Sequence, residues 1–226
     1  MRFEEAAARL KSLPARLPPP PAALMPVRVG ETAARSWPGS PRSGRPAAVL
    51  VLVVPDDAGD ARIVLTERTT GGRHHSGEIS FPGGRAEPED VDLVATAFRE
   101  AAEEIGLRPE EAGVRVVGTL EPFWIPVSNY LVTPVVAIAA RRPPLTASPD
   151  EVARIVEAPL AAFLGDAPIE IVERVIDQWT IRYGAYAIDG LSVWGATARI
   201  LGQLGALLAI PGDPEIDGNR VDPRGV

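Results

Sequence analysis

Glu100, Glu103 and Glu104 stand at spacings i, i+3 and i+4 in a stretch, Asp92 to Ile105, that contains neither proline nor glycine. Wound into a helix, these residues form one patch with Cβ atoms ~5–6 Å apart. Three carboxylates so close repel one another unless something positive sits among them. The adjacent Arg99 points about 100° round the helix and cannot neutralise all three. Before the helix, Ser80-Phe81-Pro82-Gly83-Gly84 supplies flexible backbone carbonyls. Hard oxygen donors of this kind are what Mg²⁺ or Mn²⁺ takes, so loop and helix together read as a divalent-cation site. The competing reading, a solvated acidic face, suits the glutamates alone but leaves the loop unexplained.

The elements that must position these residues are legible in outline. Gly106 ends the helix that begins at Asp92. Ala47 to Val54 (AAVLVLVV) is an apolar run suited to a strand buried on both faces, with Arg62 to Glu67 as its partner across the turn Asp56–Asp60. A glycine-rich loop runs from Thr69 to Arg85. Val114 to Leu120 and Tyr130 to Ala139 read as strands, and Pro134 places a bulge or an edge in the second. Glu151 to Ala158 alternates as a strand would, although Ser148-Pro149-Asp150-Glu151 also fits a capping box; a short helix is expected after Pro159. Ile169 to Val175 and Trp179 to Ile188 form a late strand pair. Ser192 to Ala209 reads as a final helix with apolar spacing at Val193, Ala196, Ile200, Leu204 and Leu207.

The ends differ from the middle. Residues 3–12 make a short amphipathic helix, after which nine prolines between Pro14 and Pro46 predict an irregular arm lying against the domain. The expected organisation is a helix and proline-rich arm over 1–46, one α/β domain over 47–210 and a polar tail over 211–226. A length of 226 residues suffices for one such domain.

Composition narrows the chemistry. The chain has no cysteine, which excludes disulfides, thiolate nucleophiles and cysteine-ligated metals. A net charge of -7 argues against a broad grip on nucleic acid. The start, Met1-Arg-Phe-Glu-Glu, carries acids where a signal peptide wants bases, and no apolar run approaches the ~20 residues a membrane span needs. A cytoplasmic protein acting on a small molecule is expected, with a homodimer left open. Lys11 is the only lysine, so positive charge is carried by arginine, the residue suited to forked phosphate contacts.

Gly84 to Leu107 resembles the signature of the Nudix hydrolases, G-x5-E-x7-R-E-U-x-E-E-x-G-U, where U is aliphatic. Arg99, Glu100, Glu103, Glu104, Gly106 and Leu107 sit as the pattern demands; Ala101 is a small substitute at an aliphatic position. Asp90 stands where the pattern has Glu, with eight residues rather than seven before Arg99, which leaves its role open. An overlapping stretch, Val64-Leu65-Thr66-Glu67-Arg68-Thr69-(three)-Arg73-(three)-Gly77-(three)-Phe81-Pro82-Gly83-Gly84, resembles the element that marks the coenzyme A pyrophosphatase branch of that family.

The resemblance implies an α/β/α sandwich around a mixed β-sheet and a metal-dependent attack of water on a diphosphate. It implies Glu100, Glu103 and Glu104 as ligands of Mg²⁺ or Mn²⁺, with the Gly83 carbonyl as a fourth, and Arg99 among the catalytic residues. The general base is one of the helix glutamates or a carboxylate from a later loop, Glu151 or Glu121. Substrate contacts fall to Arg68, Arg73, His75, Gly77 and Phe81, the arginines forking onto phosphate and the histidine donating to it. His74 is the other histidine of the adjacent pair. Phe123, Trp124 and Trp179 are candidates to stack on adenine. The implied substrate is coenzyme A or a derivative. Alternatives are a Nudix enzyme for NADH, ADP-ribose or another nucleotide, and a sensor that binds a nucleotide without cleaving it.

Overall fold

The computed structural model describes residues 1–11, 13–30, 44–69, 77–176 and 179–210. Its centre is β2 (Arg45–Pro55), the apolar run, buried on both faces over most of its length. On one side β2 runs parallel to β8 (Tyr130–Ala139), with Arg45 to Val53 in register with Tyr130 to Ile138. On the other it pairs with β3 (Ala61–Arg68) only through Val53–Pro55 and with β5 (Gly83–Arg85) through Ala47–Val49. The two long strands therefore splay. Into the opening come β5, carried by β2, and β4 (Ile79–Ser80), carried by β3. This fork sets Gly83 and Gly84 beside the middle of the sheet.

The sheet continues through β6 (Val114–Thr119) and β7 (Phe123–Ile125), both antiparallel to β8, and through β9 (Val152–Pro159), antiparallel to β3. Residues 152–159 are thus a strand, as alternation indicated; a 3₁₀ turn, Leu160–Phe163, follows. Pro134 corrects one expectation. It lies in a strand flanked on both sides, not at an edge, and the register shift falls on its partner β6 between Val116 and Gly118.

Alternate residues of β2 feed two cores. Leu50, Leu52 and Val54 face α2 (Leu93–Ile105), whose Ala97, Ala101 and Ile105 are buried against them. Val51 and Val53 face the opposite layer, built from α4 (Gly195–Leu208) and α1 (Phe3–Arg9). Helices on both faces of a mixed sheet make an α/β/α sandwich. A four-residue helix, α3 (Pro109–Ala112), leads into β6.

A second sheet joins β1 (Val27–Arg28), β10 (Glu170–Ile176), β11 (Trp179–Ile188) and β12 (Leu191–Trp194). Ser192 to Trp194 are strand here, so the last helix starts three residues later than its apolar spacing suggested. Val193 is buried because it lies on a strand face against the core, an apolar position that helical and strand periods share. The N-terminal segment contributes to the same core through Phe3, Leu10 and Leu24, and Gln203 of α4 donates to the Pro18 carbonyl at 3.0 Å.

Candidate active site

Helix α2 is placed by its caps. The Asp92 side chain accepts from the Ala95 N–H at 2.7 Å, and Gly106 adopts the left-handed conformation that ends the helix. Beyond it, the 146–151 loop is sewn back onto the helix end: Thr146 N–H donates to the Ile105 carbonyl at 2.9 Å and Ser148 N–H to that of Glu104 at 2.8 Å. Thr69 N–H then donates to the Glu151 carbonyl at 3.1 Å. These bonds draw Glu151 and the end of β3 toward the helix.

The three glutamates do not behave as one patch. Glu104 lies on the buried stripe with Ala97 and Ala101, is 3 % exposed, and accepts from the Gly83 N–H at 3.3 Å. Glu103 points outward and meets Arg99 at 3.3 Å. Glu100 lies between, its Oε1 3.0 Å from Arg99 Nη1. Equal Cβ spacing on a helix does not make long side chains converge, and among the described residues no three acidic or histidine side chains form a ready metal cage.

Arg99 is held by Asp90, whose two carboxylate oxygens take its Nε and Nη2, while the Arg85 carbonyl takes Nη2 from the loop side at 3.0 Å. Asp90 also accepts from Thr96 Oγ1 and from the Glu87 N–H, both at 2.9 Å. The guanidinium, chiefly through its hydrogen bonds, holds the Asp90 carboxyl well below the usual carboxylate range. Thr96 was not signalled by the motif; a hydroxyl one turn into a helix behind an acidic cap was the available clue.

Burial dominates the other carboxylates. It raises Glu100 above its ordinary value against the pull of Arg99, and it pushes Glu104 up to about 7. Arg68 and the Gly83 N–H pull Glu104 down; Glu100 and Glu151 push it up. Four predicted site residues, Arg68, Glu100, Glu104 and Glu151, thus share one electrostatic neighbourhood. Buried oxygen donors whose negative charge is under-compensated fit a hard divalent cation, which would reverse both upward shifts. Gly84 fits the same picture: a Cβ there would collide with the Glu100 carboxylate.

Other expected residues lie elsewhere. Phe81, expected as a substrate contact, is 3 % exposed and packs in the core with Ile79 and Val51. The apolar ring is buried when β4 fills the fork. Gly77 N–H donates to the Arg68 carbonyl at 3.2 Å, closing the base of the loop that carries Arg73, His74 and His75; those three lie outside the described residues. Glu121 is attracted to Arg199 and does not figure among the charges acting on Glu100 or Glu104. Of the aromatic candidates, Phe123 carries the Arg199 guanidinium 4.6 Å from its ring and Trp179 that of Arg28 at 4.3 Å. Trp124 donates Nε1–H to Asn129 Oδ1 at 3.0 Å.

The sequence pattern of the NUDIX domain matches residues 44–172, more than half of the chain. The chain belongs to the Nudix family. It is similar to Nudix hydrolase 15, mitochondrial, of Arabidopsis thaliana, 41% identical over 163 residues that cover 69% of this chain and 55% of that one. The chain spans little more than half the length of this relative and of the chloroplastic Nudix hydrolase 22 from the same plant. The uncharacterized Nudix hydrolase NudL of Salmonella paratyphi B is 37% identical over 171 residues, covering 74% of this chain and 84% of the relative. A crystal structure of a Nudix hydrolase from M. smegmatis, RenU, covers 56% of this chain and 74% of its own at 24% identity, with a TM-score of 0.45. The family match ends in β10, so β11, β12 and α4 lie beyond it. Among the described residues no helix is long and apolar enough to cross a membrane.

Proposed function

We propose that this Nudix protein is a divalent-metal-dependent diphosphatase that hydrolyses coenzyme A and its derivatives to 4′-phosphopantetheine, or its acyl form, and adenosine 3′,5′-bisphosphate. The observation that carries the reading is the Asp90–Arg99–Glu100 chain beside the buried Glu104, with Arg68 and Glu151 within its field. The substrate branch is supported by the spacing of Arg68, Arg73, Gly77 and Phe81 ahead of Gly83-Gly84.

Glu100, Glu103 and Glu104, with the Gly83 carbonyl, would hold Mg²⁺ or Mn²⁺. Such ions polarise the phosphoryl oxygens, lower the pKa of bound water and neutralise the leaving phosphate. The chain's own residues supply position and proton handling. Arg99, immobilised by Asp90, orients Glu100 and Glu103 and offsets part of their charge. Arg68 presents a forked cation at the mouth of the site, suited to a diphosphate oxygen pair. Glu151, whose loop is held to the helix end by the Ser148 and Thr69 hydrogen bonds, accepts the proton of the attacking water in this reading. The water oxygen bonds to one phosphorus as that phosphorus's bond to the bridging oxygen breaks, and the bridging oxygen departs with the other phosphate. A cysteine-free chain accords with a reducing, cytoplasmic setting.

Product analysis by mass spectrometry tests this. Purified protein is incubated with coenzyme A, dephospho-coenzyme A, NADH and ADP-ribose, each with Mg²⁺, with Mn²⁺ and with chelator. Release of adenosine 3′,5′-bisphosphate from coenzyme A, only with metal, supports the reading. Faster cleavage of NADH or ADP-ribose overturns the substrate and keeps the chemistry; binding without cleavage of any of them returns the protein to a nucleotide sensor.

A further inference from the structure

Arg199 stands half-buried on α4, turned away from the core face formed by Ile200, Leu201 and Leu204. Its Nε is buried and has no hydrogen-bond partner among the described residues. The only hydrogen bond its guanidinium makes among the described residues is from Nη1 to the Met25 thioether at 3.0 Å, and sulfur is a weak acceptor for a charged donor. Its plane covers Phe123, 4.6 Å from the ring centre. Among the described residues no carboxylate lies within ion-pair distance; Glu121 acts on it only through space, while burial disfavours its charge. A charged donor withheld from water and left without an acceptor is costly and calls for a partner.

The sheet sets how far apart the strands beneath the two places lie, with α2 on one face of it and α4 on the other. Gly83 pairs with Val49, Val49 with Pro134, and the Leu120 N–H donates to the Pro134 carbonyl. Glu121 and Phe123 follow directly on Leu120, which lies three strand spacings from Gly83, ~14 Å within the sheet. One phosphate cannot touch both places. The two are nonetheless rigidly linked, because Thr197 Oγ1, two residues before Arg199, donates to the Ile79 carbonyl at 2.9 Å at the root of the Gly83 loop.

We propose that Arg199, backed by Phe123, is the receptor for a phosphate oxyanion separate from the scissile diphosphate, its guanidinium turning from the Met25 thioether to take two of the oxygens. Assigning that oxyanion to the substrate's own peripheral phosphate rests on the function proposed above; the anion site itself does not. A free inorganic phosphate offers the same chemistry.

Calorimetric titration of the full chain in chelator tests this, using adenosine 3′,5′-bisphosphate, adenosine 5′-monophosphate and sodium phosphate on wild type, Arg199→Met and Arg199→Lys. Loss of the forked contact is expected to weaken binding of the bisphosphate roughly tenfold to hundredfold in Arg199→Met. Arg199→Lys recovers part of the loss, since charge returns without the fork. The ligand-free thermal midpoint of Arg199→Met stays level or rises, because the substitution removes an unpaired buried donor. Selectivity for the bisphosphate over the monophosphate assigns the site to a 3′-phosphate; equal loss of inorganic phosphate binding assigns it to a free anion. Equal affinities in wild type and Arg199→Met, no binding of any of the three by wild type, or a lowered midpoint with unchanged affinity overturns the proposal and makes Arg199 a packing residue. Wild type that binds the bisphosphate through Arg199 yet leaves coenzyme A intact would discard the proposed reaction and retain this site.

Discussion

Arg99 and Asp90 meet through two parallel hydrogen bonds, Nε to Oδ1 at 3.0 Å and Nη2 to Oδ2 at 3.1 Å. The pair closes across eight intervening residues, one more than the family pattern, and with a shorter acid than the usual Glu. A turn accommodates the difference: Asp90 N–H donates to the Glu87 carbonyl at 3.1 Å, and the Glu87 N–H returns to Asp90 Oδ2. The guanidinium is thereby left with Nη1 for Glu100 and Glu103.

Asp90→Asn should lower kcat roughly tenfold to hundredfold with little change in KM, because a misaligned Arg99 lets Glu100 drift. Steady-state kinetics with saturating Mg²⁺ checks it. Arg99 depresses the folded-state pKa of Asp90, so the stability this residue contributes is fully present above the unfolded value of ~3.9 and is lost as pH falls below it toward the folded value. The stability gap between wild type and Asp90→Asn should therefore narrow on acidification below about pH 4. Denaturant unfolding at stepped pH would expose a constant gap, which would mean the pairing does not stabilise the fold.

In metal-free protein Glu104 works in the opposite direction. Its folded pKa is raised to about 7 by burial, so the folded state holds the proton more tightly than the unfolded chain. Stability is highest below the unfolded value near ~4.3 and falls as pH rises toward 7, by on the order of 3 kcal/mol. Glu104→Gln, whose amide oxygen can still accept from Gly83, should flatten that slope and raise the midpoint of chelated protein at pH 8. The same variant should lose several orders of magnitude in turnover, and saturating Mg²⁺ should stabilise wild type more than the variant.

Gly84→Ala separates site from fold. The added methyl meets the Glu100 carboxylate, the free end of a flexible side chain, rather than backbone. Glu100 can swing aside, so the thermal midpoint should change little while turnover falls at least tenfold, as misplacement of a catalytic group predicts. A large drop in the midpoint would show that β5 itself cannot take the methyl.

Phe81→Ala should cost about 3–5 kcal/mol of stability through the cavity it leaves. At temperatures where the variant remains folded, its KM should match wild type. A raised KM in folded protein would support Phe81 as a substrate contact.

The helix α2 was legible because its evidence is local: Asp92 as cap, Gly106 as stop and a helical run of Ala, Phe, Arg and Glu between them. The buried strand 45–55 was legible for the same reason, an apolar run too short for anything but a strand enclosed on both faces. Where two periods coincide, local reading failed. Val193 satisfies both helix and strand spacing, and only its pairing beside Tyr186 decides for the strand.

The residue types at the site, and the Nudix spacing that orders them, are properties of the chain alone: carboxylates one turn apart, an arginine before them and two glycines ahead. Tertiary structure decided what those residues do to one another. Helical spacing sets where Cβ atoms lie, but whether Glu104 turns inward depends on a sheet close enough to bury it. Asp90 reaches Arg99 only because a turn offsets an extra residue, and Glu151 joins the cluster only because β9 pairs with β3 and its leading loop bonds to the helix end. The burial of Phe81 and the absence of an ion-pair partner for Arg199 among the described residues have the same reason: burial and partnership depend on contacts between segments far apart in the chain, which spacing along one segment does not encode.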